Sequence, residues 1–488
     1  MTFSAAILLI FITAVSASYG WGMRGAVIGG EKGAMIPGAF IGLSIALFSG
    51  IPQLRENWTI LAAAGSLGMG FGGFEPYAET ADFTLHINKD YYNPKKAFSG
   101  LAIKGANWFG IFGGILGITV TVLTNNLYQW YDFIVLAVLQ VVVQLIGIKI
   151  FNKPFDKKKK IFPKIYYSRS SREEWGGNLL FLLTLIIYTI IREDKIGMIF
   201  AVTGVVAGGL GWYFSMLLCK YTANPLKNGK YVFGEKFTKK YCDNWKIMEF
   251  SFGAIGGLAF SLIFVAFKPY IDTSLLLRLS KETFDITTLM FFSRQENLVL
   301  GNTISYVLFF VAVLMPLCHL WAKNIKKKNE DSGNKVARFF ELAERAVYYS
   351  GLLFLTCMGC KKCAGLVLFC LTYYVLLEET VFEQRNKGLK CHIAVYAVYI
   401  IAFILSVIGE FLLPYGYPLW AILVLYTAVY IISDSFYYCN NAQFKKKNPY
   451  PDTLKKKFFS LGSMLTVHGW FWILTAVILV AFLSGEQI

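Results

Sequence analysis

The stretch Tyr19 to Ala46 reads YGWGMRGAVIGGEKGAMIPGAFIGLSIA and sets Arg24, Glu31 and Lys32 among small and apolar residues. Charge at membrane depth is costly, so it is kept where it lines a cavity, pairs with another charge, or does work. A guanidinium in this setting can take the anionic group of a solute. A carboxylate can carry a proton or contact a cation. On one continuous helix Arg24 and Glu31, two turns apart, would share a face. Pro37 predicts a break just before it, because proline removes a helical hydrogen bond and its ring crowds the preceding turn. The expectation is a helix, a glycine-rich interruption carrying the charges, and a second helix. The competing reading is a short surface loop whose glycines serve only packing.

A second stretch runs from Gly73 to His86. With Pro76 in the first turn of a helix, Glu75, Glu79, Asp82 and His86 fall at i, i+4, i+7 and i+11, a single stripe. Three carboxylates and an imidazole on one face could hold Mg²⁺ or Mn²⁺ and, through it, a phosphate. They could also relay protons. The plain alternative is a solvated acidic face balanced by Lys89, Lys95 and Lys96. Lys104, Asn107 and Trp108 follow at the start of an apolar run. They could hydrogen-bond a ligand at the same membrane surface, or anchor the helix there. Cys357, Cys360 and Cys363 form C-x2-C-x2-C, without the fourth short-spaced ligand of an iron–sulfur run. Disulfide or plain thiol chemistry suits them better than a cluster.

The elements that must position these groups are membrane helices. Hydrophobic residues make up 56% of the 488, charged residues 16%, and the mean hydropathy is +0.52. Apolar stretches long enough to cross a bilayer recur along the chain and are continuous rather than alternating, which excludes a β-barrel. The expected fold is all-α, a polytopic integral membrane protein of about fourteen spans. The first eight fall near 2–20, 35–51, 58–74, 99–123, 131–151, 177–192, 195–218 and 247–267, and six more lie between 298 and 484. Residues 4–18 have the look of a signal-peptide core. No Lys or Arg precedes them and Arg24 follows, an order that favours a retained first helix with its N-terminus outside.

The net charge of +17 collects in the loops 152–172, 219–246, 323–338 and 440–457. All four follow odd-numbered spans, so the positive-inside rule places them in the cytoplasm, beneath a plasma (inner) membrane. Such clusters contact anionic lipid headgroups, and nothing in their composition suggests nucleic acid. Lys361-Lys362 is the exception to this orientation. Of 44 glycines, 33 lie at or before Gly257. This asymmetry predicts a close-packed functional bundle over 1–267, a mixed-charge outer connection over 268–297, and a second, bracing bundle over 298–488. Gly22–Glu31 is faintly echoed by Gly68–Glu75, as in transporters built from repeats, though frequent glycine alone can produce such an echo.

Three functions fit. The first is a secondary active transporter of a small anionic or polar solute, with Arg24, Glu31, Lys104, Asn107 and Trp108 at the substrate and Glu31, Glu75, Glu79 and Asp82 coupling a proton or ion. The second is a membrane-embedded Mg²⁺-dependent transferase acting on a lipid-linked or phosphorylated substrate. The third is a non-catalytic subunit, in a homo-oligomer or with a membrane partner chain. No Walker A loop, G-x-S-x-G elbow, H-E-x-x-H pair or voltage-sensor helix is present.

Overall fold

The computed structural model describes residues 1–24, 30–125, 127–156, 159–169, 173–226, 229–235 and 244–281, with a few more between 349 and 368. The named elements are all helices: α1 (Phe3–Met23), α2 (Gly30–Phe48), α3 (Pro52–Glu56), α4 (Trp58–Gly73), α5 (Tyr77–Leu85), α6 (Pro94–Thr124), α7 (Trp130–Phe151), α8 (Trp175–Ile191), α9 (Lys195–Ala223), α10 (Asn244–Lys281) and α11 (Leu353–Cys357). Six of them, α1, α2, α6, α7, α9 and α10, are long and apolar enough to cross a membrane. The helices α4 and α8 are shorter, at 16 and 17 residues. Each of the first eight expected spans has a helix in its place. The expected spans from residue 298 onward lie outside the described residues, apart from the short α11.

Contacts close into a ring: α6 on α9, α9 on α10, α10 on α1, α1 on α2, α2 on α4, and α4 back on α6. Small residues make this possible. A Cβ on Gly38 would overlap the Gly65 carbonyl, one on Gly42 the Leu61 carbonyl, and one on Gly208 the Gly105 carbonyl. Along α10, Gly253 and Gly257 meet the backbone of α1 at Ala17 and Thr13 in the same way. Close backbone approach through bare α-carbons is how helices associate when lipid offers no hydrophobic gain. The helix α7 packs on α8, while Val138, Leu145 and Ile150 along it remain exposed, an apolar face suited to acyl chains.

Three expectations are corrected. The chain does not break at Pro37, since α2 runs through it from Gly30 to Phe48. The residue four earlier is Gly33, which offers no side chain to the ring, and Gly20 of α1 lets that helix lie directly on Pro37. Tertiary packing outweighs a local cost of about 3 kcal/mol. The first helix instead ends at Met23, capped by Arg24, and the second starts at Gly30, which has φ +66°. Arg24 caps the end of α1 and Glu31 opens α2, so the two are not two turns apart on one helix. Lastly, α10 continues past residue 267 to Lys281, so the first part of the expected 268–297 connection prolongs a helix.

Candidate functional site

Two helix interruptions meet at one end of the ring. The first, between α1 and α2, carries Arg24. The second, between α4 and α5, carries Glu75, and Tyr77 opens α5. They touch because Gly73 is bare: a Cβ there would overlap the backbone of Glu31. Gly72 performs the same service for Trp108 of α6, whose ring occupies the space a Cβ would fill. Trp108 Nε1 then donates to the Met69 carbonyl.

Arg24 is 2% exposed. Its guanidinium carbon lies 4.3 Å from the Tyr77 ring centroid, 4.9 Å from Trp108 and 5.2 Å from Trp21. Such cation–π contacts replace part of the lost hydration. Nε and Nη2 both reach the Gly30 carbonyl at 3.4 Å, and Nη1 is buried without a partner. Among the described residues no carboxylate lies within ion-pair distance of this guanidinium. The nearby Glu249 is ion-paired with Lys246 and accepts from the Tyr77 hydroxyl at 3.4 Å.

The second group of charges is built on α6. Asn93 caps this helix, its side-chain oxygen accepting from Lys96 N at 3.1 Å, and Pro94 occupies the first turn. The helix therefore starts before its apolar run, and Lys104 sits almost three turns inside it, 1% exposed. Lys104 Nζ donates to Thr80 Oγ1 at 2.9 Å and to Glu173 Oε2 at 3.1 Å, and stands 3.7 Å from Glu75 Oε2. Glu173 also accepts from the Tyr167 amide and the Ser168 hydroxyl. Glu75 Oε1 accepts from Asn178 Nδ2 at 3.1 Å, whereas Oε2 has no hydrogen bond. Two buried carboxylates therefore share one ammonium. Burial pushes the Glu75 carboxyl, in the turn outside the helices, up to about 8; Lys104 opposes this, and Glu173 and Glu174 reinforce it.

Of the residues expected at the substrate, Arg24, Lys104, Asn107 and Trp108 are all buried at this end. Asn107 Nδ2 donates to the Trp175 carbonyl, a bond that ties α6 to α8. Glu31 is partly buried in the first turn of α2. The acidic stripe does not assemble as one set. Glu75 turns inward to Lys104, while Asp82 and His86 pair with each other at 3.3 Å on an open face. Glu79 lies in the first turn of α5. Among the described residues no three His, Cys, Asp or Glu side chains converge as a metal-binding group. Pro76 ends the turn, and α5 starts one residue later, so Glu75 is not on the helix that carries Glu79 and Asp82 and is capped by His86. Cys357 is buried against α6 and accepts from the Thr119 hydroxyl at 3.5 Å, in no disulfide. Cys360 and Cys363 lie outside the described residues.

Sequence reasoning missed Glu173, Thr80 and Asn178, and the aromatic partners Trp21, Tyr77 and Trp212. Asn178 inside an apolar run, just after Glu173-Glu174-Trp175, was the available signal. Comparison with known proteins finds no matching family, curated relative or solved structure. The described residues are all-helical, with six helices long and apolar enough to cross a membrane.

Proposed function

We propose that the protein is a secondary active transporter of a small anionic solute, with Arg24 at the binding site. The observation that supports this reading is a guanidinium buried beside a helix end, with Nη1 unpaired and no carboxylate paired to it among the described residues. Interrupted helices that aim charge and free backbone groups at the bilayer interior form the solute and ion sites of transporters. The Lys104–Glu75–Glu173 group stands beside it, and Glu75 is placed to carry the coupling proton. The Mg²⁺-dependent transferase reading needs Glu75, Glu79 and Asp82 on one ion, and that set is not gathered.

The test is uptake into proteoliposomes holding the full chain, across a panel of small anions that includes acetate, benzoate, phosphate and sulfate, with an imposed pH gradient. The expected result is proton-driven entry of at least one anion, abolished in Arg24→Gln and made insensitive to the gradient in Glu75→Gln. Entry of every anion at the rate seen with protein-free liposomes would remove the proposal.

A further inference from the structure

Among the described residues, three buried nitrogens of the aromatic cluster around Arg24 have no hydrogen-bond acceptor: Arg24 Nη1, Trp21 Nε1 and Trp212 Nε1. Arg24 lies on Trp21, and Trp21 meets Trp212 in turn. The Trp21 ring centroid is 5.1 Å from that of Trp108 and 6.1 Å from that of Trp212, and Trp108 stacks on Trp212 at 6.0 Å. All three tryptophans are essentially inaccessible. Buried N–H groups are almost always paired, and leaving one unpaired costs about 1–3 kcal/mol. Arg24 Nη1 and Trp21 Nε1 sit on side chains in direct contact, with Trp212 one ring further, and together they constitute an acceptor-shaped demand.

Charge limits what can answer it. Among the described residues Arg24 is the one cation of this box without an ion-paired carboxylate, because Lys246 is already matched by Glu249 and Lys104 by Glu173. A second negative charge on a ligand would enter without a counter-charge among rings of Trp21, Trp108, Tyr77 and Trp212, where desolvation is expensive. A guanidinium presents a planar fork that fits a carboxylate through two parallel bonds. Aromatic walls favour a ligand with an apolar body and strip water poorly from a strongly hydrated ion. From these constraints we infer that the Arg24 box binds a monovalent organic carboxylate with an apolar or aromatic body, its oxygens taking N–H bonds from Arg24, Trp21 and Trp212, and that it rejects phosphate and sulfate. The inference rests on the anion site proposed above and names the class of anion.

The test is calorimetric titration of the purified full chain in detergent with benzoate, acetate and inorganic phosphate at neutral pH. Benzoate is expected to bind, acetate more weakly, and phosphate not measurably. Arg24→Gln should weaken benzoate by about tenfold or more, the worth of a charge-assisted hydrogen bond. Arg24→Lys keeps the buried charge, should fold where the Gln variant does not, and is expected to lose a similar factor with the fork. Phosphate binding as tight as benzoate, no binding of benzoate, or benzoate affinity unchanged in the folded variants would each overturn the inference. Benzoate binding with no flux in liposomes would keep this site and remove the transporter reading instead.

Discussion

Glu75 and Glu173 face one lysine, and each residue of that trio answers differently to substitution. Lys104→Met removes the ammonium and leaves the buried Glu75 and Glu173 carboxyl groups without a cation. Breaking a buried ion pair from one side costs about 3–5 kcal/mol, so this variant is expected to show a clearly lowered unfolding temperature in detergent. Glu75→Gln should behave in the opposite sense. The native carboxyl holds its proton up to about pH 8, whereas an unfolded glutamate loses it near its ordinary value of 4.5. Between these pH values the native state binds more protons than the unfolded state, so wild-type stability falls as pH rises through the window and levels off above it. Thermal unfolding followed from acid to mildly alkaline pH should show that decline in wild type and a flatter profile in Glu75→Gln. Arg24, Lys104 and Glu75 were legible in the sequence because a charge is rare among apolar residues. Glu173 and Thr80 were not, because they reach Lys104 from 69 and 24 residues away along the chain. Only the folded ring brings them together.

At the scale of the helix, glycine position decides which changes are tolerated. Gly208 and Gly209 are neighbours on α9 with opposite surroundings. A Cβ on Gly208 would enter the backbone of Gly105, while one on Gly209 would meet only ordinary contacts, at 3.4 Å from the Ala102 carbonyl and 3.6 Å from the Ala106 side chain. Gly208→Ala is therefore expected to destabilise by about 1–3 kcal/mol or more, as overpacking does, and Gly209→Ala to be neutral or slightly stabilising. Parallel unfolding curves for the two variants check this, and equal losses would refute the packing account. The small-residue ridges were visible as four-residue spacings, since that period follows from helix geometry alone. The path through Pro37 was not visible. It depends on Gly33 below the ring and on Gly20 of another helix, and local rules do not contain the second of these. The start of α6 was misplaced for a related reason: its first turns are polar, held by the Asn93 cap, and hydropathy sees only the apolar remainder.

For the whole molecule, the two ends of the bundle carry different chemistry. Lys104 and Thr121 lie on the same helix, seventeen residues or about 25 Å apart along its axis. Near Thr121, Asp194 accepts from Thr121, Tyr128 and the Gly197 amide, and Asp132 binds Arg192 and Tyr188. These satisfied acids fasten helix starts, and burial raises the Asp194 carboxyl above its usual range. Between the two polar ends the chain is apolar, over a distance close to the thickness of a bilayer core. The described parts of the lysine-rich loops 152–172 and 219–246 lie at the Arg24 end, so that end is expected in the cytoplasm. With accessible native cysteines replaced, Lys159→Cys should react with impermeant thiol reagents only in inside-out vesicles, and Glu193→Cys only in right-side-out ones. The reverse pattern would invert the orientation.

Trp108 and Lys104 are one turn apart on α6, the first a wall of the Arg24 box and the second the counter-charge of Glu75. A rigid helix cannot move one without the other. Occupancy of the box and protonation of the carboxyl are then two loads on a single lever, and equilibrium makes their influence mutual. Under the proposed binding of benzoate, any factor by which acid changes its affinity must equal the factor by which benzoate changes proton binding. Calorimetry in buffers of different ionisation enthalpy would read that shared factor as protons taken up per anion bound, and its absence in Glu75→Gln would identify the carboxyl as their source.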